Sequence, residues 1–124
     1  MALRVKRVYE EPEEVDGERI LVDRLWPREL SKEEARIDLW RKNLAPSDEL
    51  GRWFGHHPDR WEGYMKRYRA ELEEAGKVED LQKIGRRATE RNVTLLFGAK
   101  DAKHNNAAGA CGFRVRARWR SVGG

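Results

Sequence analysis

The sequence predicts a single layered α/β domain in which a small, mainly parallel sheet is flanked by helices. Two short segments, Arg19–Val22 and Val93–Phe97, have the composition of strands that end at a cluster of polar residues. The second segment, VTLLF, is apolar or β-branched throughout, which is typical of a strand covered on both faces. Helical patterns flank these segments, and 124 residues suffice for one domain with its own core.

The amino-terminal part of the chain predicts two strands separated by a loop. Residues 3–8 alternate loosely between apolar and basic side chains and predict the first strand, whereas the acidic segment 10–18 is broken by Pro12 and Gly17 and predicts an exposed loop. The second strand follows at Arg19–Val22. Spacing alone leaves two arrangements open, an antiparallel pair joined by the loop and a parallel pair with a short crossover.

Helix signals dominate the middle of the chain. Ser31 and Glu34 have the spacing of a capping box and predict a short helix, and residues 36–47 predict irregular or short helical structure. The clearest helix begins near Pro58 and ends near Gly76, and it follows one or two helical turns from residue 47. The predicted core stripes are Trp61, Tyr64, Met65, Tyr68 and Leu72 on this helix, and Val78, Leu81, Ile84 and Ala88 on the next.

Composition narrows the class of protein. The single cysteine, Cys111, excludes an internal disulfide and a multi-cysteine zinc site. No apolar run approaches the ~18 residues of a membrane span and no signal peptide opens the chain, so we expect a soluble, cytoplasmic protein without membrane contact. The formal net charge of +4 is carried by residues 105–124, which hold four arginines and no acid, and is therefore weak evidence for a polyanionic partner.

Polar side chains gather directly after both predicted central strands. If these strands are parallel, their carboxyl ends meet at one edge of the sheet, where open α/β sheets bind ligands. The two groups are Asp23, Arg24, Trp26 and Arg28 after the earlier strand, and Lys100, Asp101, His104 and Asn105 after the later one.

Each group also has a structural interpretation, and the sequence does not decide between the two. Asp101 suits the N-cap of a following helix with His104 in its first turn, and the Trp-Pro pair at 26–27 suits a packing wedge. The adjacent His56 and His57 lack the ligand spacing of a metal site, so no metal ligands are predicted. No phosphate-binding glycine loop or catalytic triad order is present, and no cofactor is indicated.

The chain contains the co-ordered segments VDRLWPREL, LAPSDEL, WFGHHPDRWEGYMKRYRAEL and VTLLFGAKDAKHN. These segments strongly resemble the YeaO-like proteins, a bacterial and archaeal family of unknown function (domain of unknown function 488), and the resemblance extends from residue 3 to about residue 106. The family pattern usually has glycine where this chain has Glu29. Longer relatives place a helix between the first two strands, so the resemblance favours the parallel pair. The matching positions are Asp23, Arg24, Trp26, Pro27, Arg28, Trp53, His56, Arg60, Lys100, Asp101, His104 and Asn105.

Two functions follow as hypotheses. In the first, an enzyme or binding domain takes a phosphate-bearing ligand, a nucleotide or nucleic acid: Arg24 and Arg28 bind the phosphate and Trp26 stacks on a ring. His104, oriented by Asp101, is then the general acid or base. In the second, the Asp/Arg/Trp cluster is a structural clip in a non-enzymatic protein-interaction module. Reaction and oligomeric state are not predicted. Asp23 completes the candidate catalytic set, and Trp53, His56, Arg60, Lys100 and Asn105 complete the candidate ligand-binding set.

The resemblance ends before the carboxyl-terminal segment. We therefore predict a YeaO-like domain at 1–108 and an atypical basic tail at 109–124. In the tail, apolar residues from Phe113 to Trp119 alternate with arginines, which is a strand pattern. We expect an added edge strand or a loosely held extension without family site residues, which binds polyanions only without specificity. Its composition also resembles translation in a shifted reading frame.

Overall fold

The computed structural model describes residues 2–100, 105 and 107. The predicted class, a single-domain α/β fold with a parallel sheet and flanking helices, is confirmed. Short 3₁₀ turns lie at Glu14–Asp16, Lys42–Leu44 and Pro58–Arg60. The strands are β1 (Leu3–Arg7), β2 (Glu18–Leu21), β3 (Leu39–Trp40) and β4 (Val93–Phe97), and the α-helices are α1 (Lys32–Ala35), α2 (Asp48–Phe54), α3 (Trp61–Glu74) and α4 (Val78–Arg87).

The sheet has the strand order β1-β4-β2-β3, and every pairing in it is parallel. Leu3 of β1 lies opposite Val93, and Ile20 of β2 lies opposite Leu95, so β4 separates the first two strands. The predicted parallel direction is therefore right, but both proposed pairings of β1 with β2 are wrong. The reason is that β4 is buried at every position and takes the centre of the sheet, where strands lie on both of its sides.

The strand β3 is absent from the sequence-based prediction, which expected irregular or short helical structure at 36–47. Leu39 and Trp40 pair with Ile20 and Leu21, and a 3₁₀ turn follows directly. Two residues are too few to show a period of two, and charged residues surround them. The pairing therefore depends on the backbone edge of β2 that would otherwise be unpaired, rather than on a local sequence signal.

The two faces of the sheet carry separate apolar clusters. Consecutive residues of β4, such as Leu95 and Leu96, belong to different clusters, because successive side chains of a strand point to opposite faces of the sheet. The larger cluster joins the sheet to α2, α3 and α4, and the predicted core stripe of α3 takes part in it. On that helix Tyr64, Tyr68 and Leu72 are buried and Trp61 and Met65 are half-buried.

The smaller cluster explains the tryptophan that follows β2. Trp26 packs edge-on against Trp40, with ring centroids 5.3 Å apart at 70°. The Trp26 indole N–H donates to the carbonyl of Leu30 at 2.7 Å, so the ring is fixed in a hydrogen-bonded position. These side chains cover the face of the sheet opposite the long helices together with Val8, Leu21, Ala35, Ile37 and Leu96.

Local signals at helix ends act as the sequence predicts. Ser31 Oγ accepts from the Glu34 N–H, and the Glu34 carboxylate accepts from the Ser31 N–H, each at 3.1 Å. Ser47 caps α2 through the Leu50 N–H at 3.1 Å. Glu29 has φ 63, a left-handed conformation that favours the glycine of the family pattern.

A buried ionic cluster at the amino end of β2 has no counterpart in the sequence-based prediction. Asp16 and Arg19 are only 2% and 3% exposed, and the Arg19 Nη1 lies 2.5 Å from the Asp16 carboxylate. Arg19 also donates to the Ala35 carbonyl, which ties β2 to the end of α1. Burial raises the pKa of Asp16, but hydrogen bonds from the Glu13 N–H, Lys6 and Arg19 outweigh it and hold that pKa below its ordinary value.

Some predictions concern residues outside those described. Asp101, His104 and the tail at 109–124 belong to this group, so the domain boundary and the catalytic hypothesis for these residues stay predictions. Within the described part of the chain, no helix combines the length and the apolar character needed to cross a membrane.

Candidate functional site

The two central strands end side by side and open into a cavity. Because β2 and β4 are parallel neighbours, the segments that follow Leu21 and Phe97 leave the sheet at the same edge. A cavity of about 340 Å³ lies there. Its lining consists of Asp23, Arg24, Ala45, Pro46, Ser47, Asp48, Gly51, Arg52, Phe54, His56, Tyr64, Ala99 and Asn105.

Asp23 is held beside the carboxyl ends of β2 and β4. Its Oδ2 accepts a hydrogen bond from the Gly98 N–H at 2.8 Å, and its carbonyl accepts from the Trp40 indole at 2.8 Å. A Cβ added at Gly98 would lie 3.1 Å from this carboxylate oxygen, which is closer than most real contacts. The position after β4 therefore suits glycine, and the carboxylate of Asp23 is fixed in place before any ligand binds.

An aromatic wall closes one side of the cavity. Tyr64 is 3% exposed, and its ring centroid lies 4.4 Å from that of Phe54 and 5.5 Å from that of Trp61. Burial, with the negative charges of Asp23 and Glu71, raises the pKa of Tyr64 well above its ordinary value. The phenol stays neutral at physiological pH, so it offers an O–H donor beside an apolar surface.

Ser47 joins α3 to the start of α2. Its backbone N–H donates to Glu71 Oε1 at 2.9 Å, and its hydroxyl donates to Glu71 Oε2. The same Oγ accepts from the Leu50 N–H. With both roles of the hydroxyl in use, Ser47 shapes the cavity as a fixed cap rather than as an available nucleophile.

Positive charge lies at the rim of the cavity. The Arg24 Nη1 is 2.8 Å from the Asp48 carboxylate, and both side chains are more than half exposed, at 52% and 60%. Exposed ion pairs contribute about 1 kcal/mol or less, so a bound anion competes for Arg24 at little cost. Arg52 of α2 adds a second guanidinium to the lining.

His56 has an unusual backbone conformation beside the cavity. It has φ 58 and follows Gly55 at φ 50, so two consecutive residues are left-handed. This conformation costs a non-glycine residue on the order of 1 kcal/mol. The chain keeps it at the carboxyl end of α2, with the imidazole 6.2 Å from the Phe54 ring, and His56 thereby lines the cavity.

The structure brings together only part of the predicted site. Asp23, Arg24, His56 and Asn105 line the cavity, and Asn105 is 3% exposed. Lys100 lines an adjacent cavity instead. Asp101 and His104 lie outside the described residues.

Other predicted ligand-binding residues lie away from this cavity. Trp26 is committed to the cluster behind the sheet. The Trp53 ring has the Arg67 guanidinium 4.0 Å and the Arg60 guanidinium 5.5 Å from its centroid, and Arg60 also donates to the Trp53 carbonyl. Arg28 contributes its carbonyl to a hydrogen bond from the Tyr9 hydroxyl at 3.1 Å, and its guanidinium makes no ion pair with any residue described.

Some lining residues carry no signal of a site in the sequence. Tyr64 is predicted there only as a core residue and residue 47 only as the start of a helical segment, and Asp48 and Arg52 are not singled out. Their proximity to Asp23 depends on how α2 packs against the sheet, which no local pattern encodes. Among the residues described, no group of histidine, cysteine and carboxylate side chains has the arrangement of a metal site.

Comparison with known proteins assigns the chain to a family. Residues 2–111 match the family described as the inactive DUF488-N3 subclade. The chain belongs to this family. It is 40% identical over 106 residues to an uncharacterized protein of Mycobacterium tuberculosis (strain ATCC 25618 / H37Rv), which covers 86% of this chain and 87% of the relative.

Two further relatives are similar to the chain over the same extent. The uncharacterized protein YeaO of Escherichia coli (strain K12) is 38% identical over 107 residues, 86% of this chain and 91% of the relative. An uncharacterized protein of Mycobacterium bovis (strain ATCC BAA-935 / AF2122/97) is 40% identical over 106 residues, with coverage of 86% and 87%. No solved structure matches significantly. The resemblance to YeaO-like proteins is thus confirmed.

Proposed function

We propose that this chain binds a small phosphate-bearing ligand of nucleotide size at the carboxyl edge of its sheet and holds it without converting it. The observation that carries the proposal is the convergence of Asp23, Arg24, His56 and Asn105 on one cavity. These residues come from the ends of β2 and α2 and from the segment after β4. Such convergence of distant polar residues on one concave surface is typical of a ligand site.

The lining of the cavity suits a ring with hydrogen-bonding edges. Phe54 and Tyr64 offer an apolar aromatic surface, and Asp23 and Asn105 offer a carboxylate and an amide. The volume of about 340 Å³ lies at the lower end of the range for small-molecule sites, which is roughly 300–1,000 Å³. A nucleoside-sized group fits this combination better than a long apolar chain does.

The proposal favours binding over catalysis because the matching family is described as inactive. In addition, Ser47 has its hydroxyl committed as donor and acceptor, and Asp23 has one carboxylate oxygen engaged by Gly98. A catalytic role for Asp101 and His104 stays a sequence-based hypothesis. Retention without turnover fits a domain that senses or sequesters its ligand.

The test uses substitutions at Gly51, a residue of α2 that lines the cavity and has nothing within 4 Å of an added Cβ. We expect wild-type protein to bind a nucleoside 5′-monophosphate in isothermal titration calorimetry, with the nucleotide recovered unchanged. Gly51→Trp fills the cavity and abolishes this binding. The matched control Gly51→Ala keeps it and unfolds at a slightly higher temperature, since alanine favours a helix.

The contrary results are equally clear. Absence of binding to all four ribonucleoside 5′-monophosphates by the wild-type protein overturns the proposed function. Binding that Gly51→Trp leaves intact, in a variant that melts like Gly51→Ala, places the ligand elsewhere. Conversion of the nucleotide during the titration overturns the proposal that the protein holds its ligand without converting it.

One observation favours the second function, a non-enzymatic interaction module. Leu25, which follows Arg24 in the same loop, is 77% exposed, the largest exposed fraction among the large apolar side chains of the described residues. A protein without nucleotide affinity that self-associates in sedimentation experiments, and that Leu25→Ser renders monomeric, supports this alternative over ligand binding. Unchanged sedimentation of Leu25→Ser contradicts it.

A further inference from the structure

A second cavity lies beside the first and was not recognised in the sequence. It has a volume of about 510 Å³ and shares His56 and Ala99 with the first cavity as lining residues. Its remaining lining residues are Arg7, Tyr9, Gly98 and Lys100. Arg7 is the last residue of β1, so a third parallel strand delivers a side chain to the same edge of the sheet.

The Arg7 guanidinium is held in place before a ligand arrives. Its Nε donates to the Ala99 carbonyl at 3.1 Å, and its Cζ lies 4.8 Å from the centroid of the Tyr9 ring. Tyr9 is itself fixed, because its hydroxyl donates to the Arg28 carbonyl at 3.1 Å. Within residues 2–100, 105 and 107, Arg7 makes no ion pair. A fixed guanidinium whose Nη donors make no hydrogen bond to the described residues suits bidentate binding of phosphate.

The two cavities differ in charge. The lining of the first combines Arg24 and Arg52 with Asp23 and Asp48, so its formal charges cancel. The lining of the second holds Arg7 and Lys100 and, in the described part of the chain, no acid. A phosphate dianion therefore meets no net formal charge in the lining of the first cavity and is attracted by the cations of the second.

His56 lies between the two cavities and lines both. Its left-handed backbone, φ 58, is strained for a residue with a side chain. Strain of this kind accumulates at ligand sites, where the surrounding structure maintains it. The imidazole is thus positioned to contact a ligand that extends from one cavity into the other.

We propose that the second cavity is the phosphate subsite and that the first holds the nucleoside, so that the ligand class is a nucleoside monophosphate. This inference rests on the proposed function and adds an orientation to it. Arg7 binds the phosphate through its Nη donors, Lys100 adds a second positive charge, and Asp23 accepts from donors of the nucleoside. This orientation assigns the phosphate to Arg7, whereas the hypothesis from the sequence assigns it to Arg24 and Arg28.

The experiment measures the phosphate preference, defined as the ratio of the dissociation constants of a nucleoside and its 5′-monophosphate. We expect a preference of about tenfold or more in the wild-type protein, the size of a hydrogen bond to a charged group. Arg7→Gln removes most of the preference, because affinity for the monophosphate falls. Lys100→Gln lowers it in part. The control Lys66→Gln, on the exposed side of α3, keeps the wild-type ratio.

Failure of this inference is distinguishable from failure of the proposed function. Nucleotide binding by the wild-type protein with a preference that both Arg7→Gln and Lys100→Gln retain overturns the phosphate subsite alone. Absence of any nucleotide binding overturns both proposals. Ribose 5-phosphate that binds as tightly as the nucleotide overturns the assignment of the first cavity to the nucleoside. Should Arg7→Gln melt much earlier than wild type, exposed Lys100→Gln decides the question.

Discussion

Asp23 Oδ2 accepts a hydrogen bond from the backbone N–H of Gly98 at 2.8 Å, which joins the ends of the two central strands. The bond links residues that are distant in sequence and holds the carboxylate at the edge of the sheet where both strands end. This role explains why a polar residue follows β2. Asp23 connects strands and lines the cavity, whereas Trp26, in the same loop, packs behind the sheet.

Substitution of Asp23 tests this bond. Asp23→Ala leaves the partly buried Gly98 N–H without this acceptor, and we expect the free energy of unfolding to fall by about 1–3 kcal/mol. Asp23→Asn retains a side-chain oxygen that can accept the bond, so its free energy of unfolding falls by less. Urea unfolding of the three proteins measures the difference. Equal losses for the two variants would show that the negative charge, not the hydrogen bond, stabilises the edge.

Glu29→Gly is expected to stabilise the protein. Glu29 has φ 63, where a side chain costs on the order of 1 kcal/mol and glycine costs almost nothing. Part of the gain is offset because glycine increases the entropy of the unfolded chain, so about 0.5 kcal/mol remains. Thermal unfolding measures it, with Glu62→Gly in α3 as the matched control that destabilises. A lower melting temperature for Glu29→Gly contradicts the backbone argument.

The aromatic residues of α3 differ in their expected contribution to stability. Tyr68 is 1% exposed and its hydroxyl donates to the Leu44 carbonyl, so Tyr68→Ala costs about 3–5 kcal/mol. Trp61 is half-buried, and Trp61→Ala costs less. Tyr68→Phe removes only the hydrogen bond, worth about 1 kcal/mol. A larger loss for Trp61→Ala than for Tyr68→Ala in urea unfolding would contradict the packing described.

Acid is expected to weaken the fold through Asp16. Because hydrogen bonds outweigh burial and hold its pKa below 3.8, native Asp16 releases its proton more readily than the unfolded chain does. Its contribution to stability is therefore complete above the unfolded pKa and is lost as the pH falls through the folded pKa. The carboxyl carbon shift in NMR gives that pKa directly. A midpoint above 3.8 would contradict the hydrogen-bond geometry.

Lys6, which also forms an ion pair with Asp16, gives the opposite pH dependence of stability at alkaline pH. Burial lowers the pKa of Lys6, but hydrogen bonds and charges from Glu13 and Asp16 outweigh it and raise that pKa above 10.5. Its contribution is complete below the unfolded pKa and is lost as the pH rises through the folded pKa. Urea midpoints measured up to strongly alkaline pH test this, with Lys66→Gln as the control and Lys6→Gln as the variant that loses the effect.

The strand β4 was predictable because its signal is local and continuous. Five strand-forming residues stand between Asn92 and Gly98, and no helical period competes with them. The cap at Ser31 is equally local. By contrast, the two-residue β3 has no period, and the order of the strands depends on which of them the whole sheet buries most deeply. The sequence of β2 likewise gives no sign that Arg19 is buried, since its ion-pair partner Asp16 lies in the segment that the sequence predicts to be an exposed loop.

The candidate site likewise contains residues that the sequence predicts and residues that it does not. Asp23 and Asn105 are predictable as lining residues because each follows the carboxyl end of a recognisable strand. Trp26 and Trp53 illustrate a limit, since spacing does not distinguish an indole that stacks on a ligand from one that packs against protein. Arg7 was missed because its position as the last residue of an edge strand gives no local sign of the neighbouring carbonyl and tyrosine ring that hold it.

We expect a nucleotide to bind where β2 and β4 end. Amide ¹H–¹⁵N NMR spectra recorded during titration with nucleoside 5′-monophosphates test it most directly, because they locate the ligand on the protein. We predict saturable shifts at Asp23, Gly51, His56, Gly98 and Ala99. No shifts at millimolar ligand, or shifts confined to the basic surface of α4 around Lys83, Arg86 and Arg87, would contradict it.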